Sequence, residues 1–255
     1  KRSIDRINAF YRGIPGASTT VSMDIPGMPP MPGMEDMTTS MDIVKPNMFR
    51  VVSKANMSFV SNGQTLWSFS DMGKVWSDAP APKDMKAIST DIGEMMGPGS
   101  LAIYLLEGNL MKSPPFMEAA SITSQKGKYP GETDLVLKPN PSNMVFPTVM
   151  FGVADGPEPW IKRIRIEMPD TPEANVPSPQ AMEFAFKDWK SSQTASTSFT
   201  WTAPEGWEKV DNVMEHVMKM MAPEMPSEEA APASDFEGKP APDFTLESLE
   251  GKSVS

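Results

Sequence analysis

The chain contains no cysteine, and that absence removes disulfides, thiol nucleophiles and cysteine-based zinc sites from these residues. Histidine is nearly as scarce. The one imidazole, His216, stands beside Glu215 in a late helical segment, far along the chain from any Ser/Asp constellation. No P-loop, G-x-G-x-x-G, H-E-x-x-H or EF-hand spacing occurs. The paired acids Glu35-Asp36, Glu228-Glu229 and Asp91 with Glu94 read as solvated charge. The chain is therefore expected to be non-catalytic, with no cofactor and no metal. Nor is there a run of about 18 apolar residues, so no transmembrane segment is expected. The formal charge of −10 argues against nucleic acid as a partner, because a phosphate-binding surface needs clustered Lys and Arg to displace counterions. The basic cluster Lys162-Arg163 with Arg165 alternates with Ile161, Ile164 and Ile166, as the wet face of a strand does. The sequence starts at Lys1 with no basic-then-apolar leader, which is compatible with a removed signal peptide and equally with a cloning boundary.

What is present is methionine: 23 Met against 12 Phe. A flexible, polarizable thioether suits an apolar surface that adapts to irregular partners, and it serves equally well as core filler. Ile4, Ile7, Phe10 and Tyr11 have helical spacing behind a possible Ser3 cap, predicting a short helix over 3–12. A strand over 18–25 then ends at a Pro/Gly/Met stretch, 26–34, expected to be a loop or lid. Strands follow over 37–44, 47–53, 56–61, 65–70 and 74–77. Asn62-Gly63 marks a hairpin between the third and fourth of these. The segment 83–96 puts Met85, Ile88, Ile92, Met95 and Met96 on one helical face. Gly97-Pro98-Gly99 ends that helix, and a second is expected over 101–110. Strands resume over 118–125, 133–138, 145–153, 160–168, 181–188 and 198–202, and a last helix is expected over 208–221. The fold class that follows is mostly β with inserted helices (α+β), a curved antiparallel sheet or half-barrel of about ten or eleven strands covered by helices. Residues 222–235, rich in Pro, Ala and Glu, read as a linker.

Two resemblances attach to this pattern. The order of helix, strand run, helical insertion and further strands is similar to the LolA/LolB lipoprotein-carrier superfamily. So is the texture of Phe49-Arg-Val-Val52, Val60-Ser-Asn-Gly-Gln-Thr-Leu-Trp67, Lys74-Val-Trp76, Trp160-Ile-Lys-Arg-Ile-Arg-Ile166, Phe186-Lys-Asp-Trp189 and Phe199-Thr-Trp-Thr-Ala-Pro-Glu-Gly206. That likeness spans about residues 3–210, although the arginine that latches the lid of some carriers has no matching position. The last residues, Gly238-Lys-Pro-Ala-Pro-Asp-Phe-Thr-Leu246 with Leu249-Glu-Gly-Lys252, resemble the entry of thioredoxin-like peroxiredoxin and TlpA-type thiol oxidoreductases. The domains implied are a LolA-like half-barrel over 1–221, a linker over 222–236 and the truncated start of a thioredoxin-like domain over 237–255. Without the rest of its sheet, that stub is not expected to pack Phe244 and Leu246 on the body. Any thiol chemistry would lie beyond Ser255, and the resemblances imply an exported or periplasmic protein.

Alternation in a bowed sheet sends every second side chain inward. The inward candidates are Met23, Met41, Phe49, Val51, Phe59, Leu66, Trp67, Trp76, Val149, Phe151, Ile164 and Phe186. Met85, Ile88, Ile92, Met95, Leu101, Tyr104 and Leu105 would face them from the covering helices. Under a loose roof these residues form a greasy cleft for an acyl chain or other apolar ligand; under a tight one they are simply core. Three functions therefore stay open: an apolar-ligand carrier fused to a thiol oxidoreductase, a module recruiting a lipoprotein or peptide client, and a filled structural domain.

Overall fold

Between Phe59-Val60 and Leu66-Trp67 the chain reverses at Asn62-Gly63, where Gly63 adopts a φ of 90°. The Asn62 side chain accepts the backbone N–H groups of Gln64 and Thr65 at 2.9 and 2.8 Å. Such turns recur along the chain and lay successive strands side by side. The computed structural model describes residues 2–26, 38–53, 57–96, 99–108, 110, 119–139, 147–168, 181–191, 199–221, 246–247 and 253–254. The lid stretch and the linker lie outside the described residues. Contacts divide the chain into Lys1–Val217 and Met218–Ser255.

In the first unit the strands are β1 (Gly16–Asp24), β2 (Thr38–Val44), β3 (Met48–Ser53), β4 (Ser58–Asn62), β5 (Thr65–Ser70) and β6 (Val75–Pro80). They continue as β7 (Ala119–Lys126), β8 (Glu132–Pro139), β9 (Thr148–Ala154), β10 (Ile161–Glu167), β11 (Ala181–Ser191) and β12 (Glu208–Lys209). All belong to one open, curved 12-stranded sheet in the order β12-β6-β5-β4-β3-β2-β1-β11-β10-β9-β8-β7. Every pair is antiparallel except β12 with β6. Strand β1 is thus central, flanked by β2 and by the late strand β11, so the two ends of the domain are stitched together in the middle of the sheet.

Helix α1 (Arg2–Gly13) buries Ile4, Ile7 and Tyr11, one stripe at helical spacing. Helix α2 (Met85–Asp91) is capped by Asp84, whose carboxylate accepts the Ala87 N–H at 2.8 Å. The single helix expected over 83–96 is in fact interrupted. At Gly93 an added Cβ would stand 2.3 Å from the Ser89 carbonyl oxygen, and the chain resumes as a 3-10 turn, Glu94–Met96. Helix α3 (Gly99–Glu107) begins directly on the sheet: a Cβ on Gly99 would meet Val51 at 3.3 Å and Met41 sulfur at 3.4 Å.

Two expectations near the end of the chain are corrected. Residues 199–202 form no strand; Trp201 stacks on Phe69 on the back of the sheet instead. The last helix, α4 (Val213–Met221), starts five residues later than expected. Asn212 caps it by accepting the Glu215 N–H at 3.1 Å, while Glu208 and Lys209 pair with Val75 and Trp76 as β12. In the second unit, β13 (Leu246–Glu247) and β14 (Ser253–Val254) pair with Leu246 opposite Val254. Phe244 lies outside the described residues.

Candidate ligand-binding site

Register fixes which side chains share a face, because directly opposed residues point the same way. Ile43 faces Phe49, Met41 faces Val51, Val51 faces Phe59 and Ser61 faces Leu66. Across the centre Val21 faces Phe186 and Met23 faces Phe184, and the set continues through Ile164, Phe151 and Leu135. This is the inner face, and with the helices it forms one apolar cluster.

Among the sequence-predicted site residues, Met41, Phe49, Phe59, Met85, Ile88, Ile92 and Leu105 are buried in that cluster, while Met23, Met95 and Leu101 are half-buried and pack against it. Tyr104 is half-buried on α3. Under α2 and α3 the apolar face is well filled: Phe49, Phe59, Ile88, Ile103, Leu105 and Leu106 have almost no accessible surface.

Trp67 and Trp76 do not belong to this face, and their inward placement is corrected. Strand alternation turns Trp67 away from Leu66. Trp67 is opposite Val60 and Trp76 opposite Phe69, both on the outer face. There Trp201 stacks on Phe69 at 4.7 Å, lies 5.5 Å from Trp76 and meets Trp207 edge-on at 6.0 Å. Lys209 sits over the Trp76 ring and pairs with Asp78 at 2.7 Å. Arg50 fastens the covering strap by donating to the Thr200 carbonyl at 2.8 Å.

The other tryptophans are inner. Between Ser18 and Thr20 of β1, strand β11 carries an extra residue, with Asp188 at a φ of 55°. The bulge sets Trp189 beside Phe186, stacked at 5.7 Å, and Trp160 stacks on Trp189 at 4.9 Å. Tyr11 and Phe10 of α1 wedge edge-on against Trp160 at 5.7 and 4.7 Å. The Tyr11 hydroxyl accepts the Ile161 N–H at 2.9 Å, and Trp189 Nε1 donates to the Ile161 carbonyl at 2.7 Å. Burial pushes the Tyr11 phenol pKa up, beyond the usual tyrosine range, against the pull of the Ile161 bond. Lys45 donates to the Tyr11 carbonyl at 2.6 Å and the Arg12 carbonyl at 3.4 Å, tying down the C-terminal end of α1. Burial lowers its pKa.

The opposite end of α1 also buries Ile4 and Ile7, but a cleft opens along its flank. Between its first turns and the inner face of β8 and β9 lies a cleft of about 270 Å³. Its floor is apolar, made by Ile7, Leu135 and Val153, with Ala154 and Pro159 beside them. Arg2, Ser3 and Arg6 line it from the helix, and Thr133, Asp155 and Gly156 from the strand ends. Thr133 donates to the Asp155 carboxylate at 2.7 Å, and Arg6 donates to the Gly156 carbonyl. The sequence carries a signal for this place, since Arg2 and Arg6 are one helical turn apart on the flank of the Ile4/Ile7 stripe. Sequence reasoning misses it because such pairs are ordinarily read as solvated charge.

On the outer side of the same strands a buried ion cluster braces the floor. Arg163 pairs with Asp134 at 2.8 Å and Glu132 at 3.0 Å, all with little exposure, and the Tyr129 ring covers the guanidinium at 4.7 Å. Gly152 between them leaves the needed room: a Cβ there would stand 2.8 Å from both the guanidinium and the Glu132 carboxylate.

No protein-family model matches the chain, and no curated protein matches it. Solved structures similar to it include an uncharacterized conserved protein from Thermus thermophilus, at 10% identity and a TM-score of 0.45, covering 82% of this chain and 97% of that one. The lipoprotein LppX of Mycobacterium tuberculosis is similar at 11% identity and a TM-score of 0.42, covering 76% of this chain and 98% of that one. LprF from Mycobacterium bovis is similar at 10% identity and a TM-score of 0.41, covering 76% and 96%. At such identities and scores the functional reading rests on this chain's own geometry.

Proposed function

We propose that the chain is a non-catalytic binding domain of carrier type, holding an apolar ligand against the concave face of its sheet. One observation carries this reading: beside the first turns of α1 lies a cleft of about 270 Å³ whose lining includes Ile7, Leu135 and Val153 of the packed inner face together with Arg2, Ser3 and Arg6 of the helix. Apolar side chains in a concave, partly open setting gain about 0.8 kcal/mol for each ligand methylene they take out of water. The cleft, at about 270 Å³, lies just below the roughly 300 Å³ at which ligand pockets begin, so it takes a segment of an acyl chain and not a whole lipid. The half-buried Met23, Met95, Leu101 and Tyr104 extend the same proposal along the inner face, with Met41, Phe49, Phe59, Met85, Ile88, Ile92 and Leu105 as its packed wall.

The likeness of residues 237–255 to the entry of a thioredoxin-like domain supports a further part of the reading. The binding domain, over 1–221, serves an exported thiol oxidoreductase to which a linker over 222–236 joins it, and its client is a lipid, a lipoprotein or an apolar peptide.

Delipidated protein titrated with a fluorescent fatty acid tests the binding claim. Saturable binding is expected, and Ser3→Trp, at an exposed position of α1 that lines the cleft, is expected to abolish it while leaving the unfolding midpoint close to that of the parent. Binding that survives Ser3→Trp unchanged would remove the α1 cleft from the reading.

A further inference from the structure

An apolar floor alone would accept any hydrocarbon, yet the rim of this cleft is charged. Arg2 and Arg6, four residues apart on α1, both line it, directly above Ile7 and Leu135. Arg6 also donates to the Gly156 carbonyl. The acid on the rim, Asp155, is already engaged by the Thr133 hydroxyl at 2.7 Å. Two cations over a greasy floor, in a protein whose net charge is −10, form a local exception to the overall field. We propose that the ligand of this cleft is an anionic single-chain amphiphile, its chain on Ile7, Leu135 and Val153 and its headgroup between Arg2 and Arg6. This rests on the α1 cleft being a ligand site at all.

The physical reason is division of labour. The floor, where Ile7, Leu135 and Val153 show only their edges to solvent, supplies a modest apolar contribution and does not discriminate. A guanidinium presents a planar fork that matches a carboxylate or a phosphate, so discrimination comes from the rim. Both arginines are exposed, and water and salt screen them. The effect of each is therefore modest, about three- to fivefold in affinity at low salt, and it shrinks as ionic strength rises.

The test uses the full chain, delipidated, with dodecanoate, dodecyl phosphate and dodecanol competing against one fluorescent fatty-acid probe. Either anion is expected to displace the probe at several-fold lower concentration than dodecanol, and the ratio between dodecanoate and dodecyl phosphate assigns the headgroup as carboxylate or phosphate. Arg2→Gln and Arg6→Gln are each expected to weaken the anions about three- to fivefold and leave dodecanol unchanged. Arg2→Lys should restore part of the loss. Arg2 stands at the exposed start of α1, away from the Arg6 bond, so Arg2→Gln stays informative even if Arg6→Gln disturbs the hairpin at Gly156. Asp155→Asn keeps an acceptor for Thr133 and removes the neighbouring negative charge, so it should tighten the anions by a few-fold. Equal competition by dodecanol and dodecanoate, unmoved by Arg2→Gln, would overturn the headgroup assignment while leaving the carrier reading intact. Failure of all three competitors, with the probe indifferent to Ser3→Trp, would instead overturn the site.

Discussion

Both ends of α1 bury apolar side chains, yet one is sealed by an aromatic wedge and the other leaves a cleft along its flank. At the C-terminal end, Phe10 and Tyr11 wedge into Trp160 and Trp189, and Lys45 caps the last carbonyls. At the N-terminal end Ile4 and Ile7 are buried as well, but Arg2, Ser3 and Arg6 on the flank of that stripe add no large apolar side chain, and a cleft remains beside Leu135 and Val153. The difference teaches that an apolar sheet face is finished or left unfinished by the few residues that cover it. The same contrast separates the region under α2 and α3, where Gly99 lets a helix sit on Val51 and Met41, from the region under the first turns of α1.

If that comparison is right, substitutions in the filled region change stability and those around the cleft change binding. The largest expected effects are on stability. Phe59→Ala removes a ring with no accessible surface and should cost about 3–5 kcal/mol, read as a lowered urea midpoint. Arg163→Met leaves the Glu132 and Asp134 carboxylates buried without their partner and should also cost about 3–5 kcal/mol; a loss below about 1 kcal/mol would mean that water reaches the ion cluster.

Tyr11→Phe is smaller and sharper. It keeps the ring in the aromatic wedge and deletes the acceptor of the Ile161 N–H, leaving a buried donor unpaired at a cost of about 1–3 kcal/mol. It also carries a pH signature. The folded phenol pKa is raised above the value near 10.0 of an unfolded chain, so the stability linked to it is whole below that value and is lost as pH climbs toward the folded pKa. The parent should therefore lose stability between about pH 9 and 11 by an amount that Tyr11→Phe does not. Lys45, whose pKa burial lowers from 10.5, has the opposite sign: its linked stability grows as pH rises toward that value. Comparing the two proteins in the same buffers cancels its contribution.

Much of this architecture is legible in the sequence because strand alternation and turn chemistry are local. The Asn62-Gly63 hairpin, the Ile4/Ile7/Tyr11 stripe and the alternation of Ile164 and Ile166 with Arg163 and Arg165 each announce an element within a few residues. What local pattern does not convey is which of two apolar faces is which. Leu66-Trp67 and Phe59-Val60 are adjacent apolar pairs because this corner of the sheet is covered on both sides, by the core within and by the strap carrying Trp201 and Trp207 without. The bulge at Asp188 is equally silent in sequence, and it alone brings Trp189 round to Phe186. The cleft is hidden for another reason: it is made by side chains that do not reach across a gap between elements far apart in the chain, and no periodicity reports a gap.

The smallest expected effect sharpens the comparison most. Sequence alternation puts Trp67 and Trp76 in the hollow, and both lie instead on the outer face with Phe69 and Trp201. Trp67→Asp places a charge on a half-buried outer position, where its carboxylate stays in reach of water and its main consequence is lost contact with the aromatic corner. Titration of the delipidated variant with the fluorescent fatty acid should give the affinity of the parent, within about a factor of two, while Ser3→Trp abolishes binding on the other side of the same sheet. A large loss of affinity in Trp67→Asp, with its unfolding midpoint preserved, would mean that ligand sits on the tryptophan corner, and that the outer face, covered only by a strap fastened through Arg50 and Lys209, is the unfinished one.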